Sequence, residues 1–388
     1  MLSRTLQSAP QVATIFVVNG FLIGLWGGLL ASVRDRAGLA AGDISVLLVV
    51  TGCCAAVSMQ VAGRLADRIG ARRPTLLGAC GMMLALTVLA GATSWPLVLL
   101  AAALVGLGNG AMDVSMNSLA VDAERASSRR IMSTLHAFFS VGSLLGASAV
   151  LVAQALTAGV SGTVVVATLG GVLVTGAVVA AVAPSTPESA PAPEHHRTGT
   201  RAPLPPITWL LAVMAILFGL TEGTGWDWSS IHVTDVTGVS PGVGATGLAL
   251  FSAAMIAVRL AGDAIVEVVG ARWALAGGGW LAAVGYLVGA TQSGFVPVLA
   301  GWLLVGAGVA VLAPLIYGMA GHLGGGRMLA VVAGAGYVTV LAGPALIGWA
   351  GHHWGMATAM FVPLCTALLV GALALTLPRE AAEAAIRS

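Results

Sequence analysis

The chain has 388 residues, of which 58% are hydrophobic and only 8% charged, with 17 cationic and 15 acidic side chains leaving a net charge of +2. Soluble globular proteins carry about 25% charged residues, so this chain has too few charges to cover a water-facing surface and is built to face lipid. That excludes a cytosolic enzyme, a secreted disulfide scaffold, a disordered protein and a nucleic-acid binder, while the small net charge says nothing about partners.

Twelve apolar runs follow one another, at approximately 10–32, 43–63, 74–92, 96–120, 131–156, 162–183, 206–230, 242–261, 273–292, 295–318, 328–350 and 356–378. Each is near the ~20 residues that a helix needs to cross the hydrocarbon core. The runs are continuous and rich in Ala, Leu, Val and Gly, without the alternation of a membrane β-barrel. The expected fold is therefore an all-α integral membrane protein of twelve transmembrane helices. The first run is too long for a signal peptide and has no small-x-small cleavage site.

All 17 cations are arginine. With the N-terminus inside, 15 of them fall in cytoplasmic segments, Arg259 and Arg272 included, and only Arg34 and Arg36 fall outside. This asymmetry predicts a multi-pass cytoplasmic (inner) membrane protein with both termini cytoplasmic. Residues 184–205 are rich in Pro, Ser and Thr and cannot form a core. They read as a cytoplasmic linker between an N-terminal six-helix half, 1–183, and a C-terminal half, 206–388.

The halves repeat each other. GRLADRIGAR at 63–72 is echoed by RLAGDAIVEVVGAR at 259–272, which sets Asp67 against Asp263 at an offset of 196 with four extra residues before the second Gly. Leu104-Val105-Gly106 returns as Leu304-Val305-Gly306, an offset of 200, and Gly146-Ala147 answers Gly343-Pro344, an offset of 197. Duplicated halves of this kind are a transporter architecture, with the site near the midplane between them.

The loop after the second run, with Gly63, Asp67, Arg68, Gly70, Arg72 and Arg73, resembles motif A of the major facilitator superfamily. The segments 108–147 and 222–229 (EGTGWDWS) resemble its YbjJ-like permease group, near the fucose-permease-like sugar/proton symporters. The resemblance implies the major facilitator fold of two pseudo-symmetric halves, a cavity lined by runs 1, 4, 7 and 10, and a cytoplasmic gate. In that gate Asp67 caps run 11 near Arg327, and Asp263 meets run 5 near Arg130. Two departures weaken a drug-antiporter reading: run 5 carries Gly146-Ala147 where antiporters show Gly-Pro, and run 4 lacks their arginine.

Among the charges, Asp113 and Glu222 alone are expected well inside the membrane, where each costs roughly 2.5–3.5 kcal/mol at a helix centre and so faces the bundle interior or a wet cavity. Asn109, Asp113 and Asn117 recur at i, i+4 and i+8, one polar stripe on a helix, which is either interhelical hydrogen bonding or a working surface. The resemblance favours the second, because related symporters use a carboxylate four residues before an Asn in proton coupling. His136 lies at a similar depth and is a possible partner for Asp113. On run 7, Glu222, Trp226 and Ser229 share a face suited to a polyhydroxylated ligand, whereas Asp227 points about 140° away. Asn19, Trp26 and Tyr317 are weaker substrate-binding candidates.

No metal-ligand spacing, nucleotide loop or cofactor motif is present. The reading is a proton-coupled secondary transporter of a small sugar-like solute, working as a monomer in the bilayer with no nucleic-acid partner. Its alternatives are a proton-coupled exporter of lipophilic compounds and, in another class, an intramembrane enzyme. The enzyme reading lacks a nucleophile constellation.

Overall fold

The computed structural model describes residues 2–127, 131–156 and 204–379. Among them there is no strand. The helices are α1 (Leu2–Ala37), α2 (Ala41–Ile69), α3 (Arg72–Gly91), α4 (Trp95–Ser127), α5 (Met132–Leu156), α6 (Ile207–Thr237), α7 (Pro241–Gly244), α8 (Thr246–Val269), α9 (Ala271–Thr291), α10 (Phe295–Val309), α11 (Leu312–Trp354), α12 (Met356–Ala359) and α13 (Phe361–Ala374). Helix is the expected outcome for apolar runs in lipid, because each backbone N–H and C=O must be satisfied within its own segment.

Eleven described segments are long and apolar enough to cross a membrane, and they match eleven of the twelve expected runs. The expected run at 162–183 and nearly all of the 184–205 linker lie outside the described residues. The two spans Phe295–Gly324 and Arg327–Trp354 meet inside the 43-residue α11. A straight helix would separate Tyr317 from Gly336 by about 28 Å. The Tyr317 hydroxyl instead lies 2.8 Å from where a Cβ on Gly336 would stand. The chain therefore doubles back between them, in the stretch where one span gives way to the next.

Backbone geometry repeats at an offset of 200. Gly38 (φ 63°) and Gly238 (φ 70°) take left-handed conformations that a side chain disfavours, as do Gly70 (φ 84°) and Gly270 (φ 82°). The Gly70 N–H closes α2 on the Ala66 carbonyl and the Gly270 N–H closes α8 on that of Val266. Packing repeats with it. A Cβ on Gly78 would sit 2.6 Å from the Gly108 carbonyl oxygen, and one on Gly278 the same 2.6 Å from that of Gly308. In lipid, such close backbone approach replaces the hydrophobic drive that would join helices in water.

This register corrects the motif alignment. At offset 200, Glu267 stands opposite Asp67, and Asp263 opposite Gly63. Arg259 stands opposite Met59, five residues and about 7.5 Å of helix deeper than Arg64. It lies within the span Pro241–Gly262, not in a loop. The Arg-Leu dipeptide invites the shorter offset, but the turn glycines fix the longer one.

The ends of the molecule differ. Following the chain, Gly38 and Gly238 fall at one end, Gly70 and Gly270 at the other. At the Gly38 end, Arg34 of α1 and Asp235 of α6 form a bidentate ion pair. The Arg36 guanidinium donates to the Leu89 and Ala92 carbonyls at the C-terminus of α3, each at 3.1 Å, where a cation complements the helix dipole. The two arginines that the topology count leaves outside are thus both structurally committed.

Candidate functional site

Two cavities run through the middle of the bundle and share Gly52 and Ala55 of α2. The first, about 270 Å³, is walled by α1, α2, α4, α6 and α11, with Trp26, Thr51, Asn109, Trp226, Asp227 and Thr339 among its lining residues. The second, about 770 Å³, lies toward the Gly70 end, where α2 (Gln60, Gly63, Arg64), Val114 of α4 and Tyr337 of α11 form its walls.

Toward the Gly38 end the first cavity is covered. Besides the Arg34–Asp235 pair, Ser45 of α2 packs directly on Gly348 of α11, with the fully buried Trp228 ring beside it. The Trp226 ring stands edge-on to Phe139 of α5 (5.9 Å) and Phe251 of α8 (5.3 Å), and its carbonyl approaches Gly27 of α1. On the opposite side the same helices diverge. A Cβ on Gly318, Gly321 or Gly334 would meet nothing within 4 Å, and Tyr337 is 49% exposed.

The structure sorts the expected site residues into separate places. Trp26, Asn109 and Trp226 line the first cavity. Asn19 is buried and donates to the Met116 sulfur at 3.3 Å, leaving its carbonyl oxygen without a partner. Asn117 donates to the Asp113 carbonyl at 2.9 Å and to its carboxylate at 3.3 Å, so the lower part of the stripe is internally bonded and only Asn109 faces the first cavity. No described cation pairs with Asp113, and Tyr337 is its electrostatic neighbour. The His136 ring stands edge-on to Phe16 at 5.3 Å and its carbonyl accepts from Ser140; no hydrogen bond joins it to Asp113 among the described residues. Ser229 is fully buried, its backbone carbonyl against Gly247 of α8 and its hydroxyl unpartnered. Tyr317 packs edge-on to Phe218.

Glu222 does not face the first cavity. It accepts from the Arg259 guanidinium of α8 at 3.4 Å, in a pair whose side chains are 16% and 14% exposed. Arg259 also donates to the Ser140 hydroxyl of α5 at 2.9 Å and to the Ala310 carbonyl at 3.4 Å. Three of its donor positions are therefore directed, and one of them joins the C-terminal helices to the N-terminal ones. A membrane carboxylate held this way carries a fixed counter-charge that Asp113 lacks.

Two functional candidates escaped sequence reasoning. Arg259 was hidden by the misread register. Asp227 lies about 140° around the helix from Glu222, and the first cavity is on the side of α6 that Asp227 faces, so that separation is what puts it in the lining. Farther along α6, the buried His232 is enclosed by Trp302 and Gly289. The indole N–H can only donate, so Nδ1 accepts at 3.2 Å and Nε2 donates to the Gly289 carbonyl at 3.0 Å.

Of the gate residues, Gly63 lines the second cavity, Gly70 makes the turn after α2, Arg72 opens α3, and Arg68, Arg73 and Arg327 are exposed. The side chains of Asp67 and Asp263 and the whole of Arg130 lie outside the described residues. Among those described, no group of His, Cys, Asp and Glu could hold a metal ion.

The Major Facilitator Superfamily model matches residues 12–263. An uncharacterized transporter of Sinorhizobium fredii, y4wD, is 32% identical over 378 residues, covering 96% of this chain and 98% of that one. Among solved structures, a variant of the nucleoside transporter NupG aligns with a TM-score of 0.70 at 12% identity, over 94% of this chain and 98% of the other. The E. coli fucose:proton symporter FucP aligns with a TM-score of 0.60 at 15% identity, over 95% and 97%. The last two similarities are of fold.

Proposed function

The chain belongs to the major facilitator superfamily, and we propose that it is a secondary active transporter that moves a small, polar, sugar-like solute by alternating access, coupled to protons. The observation that carries this reading is the first cavity: about 270 Å³, walled by both sets of helices and covered toward one end only. A volume of that order suits a monosaccharide-sized solute better than a drug-sized one. Both fold neighbours named above move polar, sugar-containing solutes, one of them with a proton.

Asp113 is the proton-coupling group in this mechanism. It is a membrane carboxylate whose bonds come from an amide and not from a cation, so gaining or losing a proton changes its net charge without breaking an ion pair. Glu222 is the second acidic group, held in register by Arg259, and His136 stands at the same level on α5. The arginine distribution sets the termini and the Gly70 end in the cytoplasm of the inner-membrane orientation. The covered state described above is then inward-facing, with the second cavity as its vestibule. In the outward-facing state the loop carrying Gly63, Asp67, Arg68, Gly70, Arg72 and Arg73 closes that vestibule against the turn at Arg327. By the repeat, the segment around Asp263 closes against α5 near Arg130.

The test is uptake into proteoliposomes of a panel of radiolabelled neutral monosaccharides and nucleosides, with and without an imposed pH gradient, acid outside. Accumulation above equilibrium in the gradient supports the reading. Efflux driven by the opposite gradient would make it an exporter, and the absence of flux of any polyhydroxylated solute would overturn it.

A further inference from the structure

The first cavity has an imbalance of hydrogen-bonding groups. Three hydroxyls line it, and each donates its proton to the backbone: Thr51 to Leu47 and Ala102, Thr224 to Leu220, and Thr339 to Gly336. They offer only oxygen lone pairs to a guest. Asp227, on the same wall, accepts and does not donate when ionised. It has no hydrogen-bond or ion-pair partner among the described residues. The donors that remain for a guest are the Asn109 amide, the Trp26 indole N–H and the Trp228 indole N–H, which is 99% buried and has no partner; the Trp226 N–H is directed at Glu222. Asp227 is the one charged group among the described lining residues.

Charge is unbalanced in the same direction. No described arginine lines this cavity. Of the described arginines paired with α6, Arg259 is taken by Glu222 and Ser140 and Arg34 by Asp235. Trp26 and Trp226 belong to the same walls, and an indole attracts a cation at its face. An unpaired carboxylate between indoles, with a buried N–H left over, is an incomplete set of partners that a guest must complete.

We propose that the solute carried in this cavity is a polyhydroxylated one bearing a protonated amine, with the Asp227 carboxylate as its counter-ion. The ammonium donates to Asp227 and lies against the indoles. The guest's hydroxyls donate to the threonine oxygens and accept from Asn109 and Trp228. A neutral analogue leaves Asp227 unsatisfied, and an anionic one meets like charge. This rests on the transporter reading and narrows its substrate class.

The experiment is equilibrium binding of radiolabelled glucosamine to the full chain in detergent at pH 7, with glucose, N-acetylglucosamine and glucuronate as competitors. Glucosamine should bind at least about ten-fold more tightly than glucose, N-acetylglucosamine should match glucose, and glucuronate should not compete. Asp227→Asn should lower glucosamine affinity about ten-fold or more and so remove its preference over glucose, and Asp227→Glu should restore part of that preference. The thermal unfolding midpoint of the Asp227→Asn protein in detergent reports whether it is folded, so a variant that merely unfolds is told apart from one that has lost the counter-ion. Equal binding of the amine and neutral sugars, no binding of glucosamine, or an unaltered glucosamine affinity in Asp227→Asn overturns the inference. Gradient-driven uptake of neutral sugars together with glucosamine uptake that Asp227→Asn leaves unaltered would overturn this inference and leave the transporter reading standing; absence of flux of every polyhydroxylated solute, charged or neutral, would overturn both.

Discussion

Asp113 and Glu222 are both acidic residues buried in membrane helices, yet the protein treats them oppositely. On α4, Asp113 is held by Asn117, one turn along the same helix. On α6, Glu222 is held by Arg259 from α8, which also reaches α5. A carboxylate bonded within its own helix can change charge without moving anything else. One bonded through an arginine to two other helices cannot, because removing its charge strands a buried cation. The comparison teaches that a membrane carboxylate's role is set by the partner the fold gives it, not by its own depth.

The largest expected effect breaks this comparison at Asp113. Asp113→Asn should abolish accumulation against a gradient, bringing the inside-to-outside ratio of solute to one, while equilibrium exchange persists. Retained accumulation in that variant, measured in proteoliposomes under a pH gradient, would remove Asp113 from the coupling role.

Next in size is Arg259→Ala, which leaves Glu222 without its counter-charge. The expected loss is about 3–5 kcal/mol, read as a fall in the thermal unfolding midpoint in detergent. Glu222→Gln combined with Arg259→Gln should recover most of it, since an uncharged pair has no buried ion to strand. If the single and double variants unfold alike, the pair is not the reason for Arg259's position.

Overpacking the repeated glycine contacts should cost about 1–3 kcal/mol. Gly108→Val and Gly308→Val should do so to a similar degree, because the two sites repeat the same approach; unequal losses would limit how far the two-fold likeness of the halves extends. The smallest effect is expected at the Gly38 end. Arg34→Ala removes a pair whose side chains are 18% and 27% exposed, worth about 0.2–1 kcal/mol. It should barely move the unfolding midpoint, yet raise the labelling rate of a cysteine placed at Ser45.

Much of the fold is legible in the chain because lipid imposes a simple rule. Eleven runs recur as spans with ends shifted by up to seven residues, the second by three at its far end, the first by five and the seventh by seven. The site was less legible. Trp26, Asn109 and Trp226 line the cavity, but Ser229, which shares a helical face with Glu222, is fully buried and is not among its lining residues. A shared face says which residues point together, not which neighbour they meet. Asp227 shows the converse: excluded from one face, it lines the cavity on another.

The sequence alone determined that this protein lives in lipid, how many helices are expected, and that its halves are related. Hydrophobic length and arginine placement are one-dimensional properties, and the bilayer reads them directly. Only the tertiary structure decided that Arg259 is an intramembrane partner, that Glu222 belongs to it and not to the first cavity, and that Asp227 stands there without a counter-ion among the described residues. Those facts depend on helix register to within a turn and on which helices touch. Register is fixed by the left-handed glycines at 70 and 270, and contact by backbone approach at glycines such as Gly108 and Gly308.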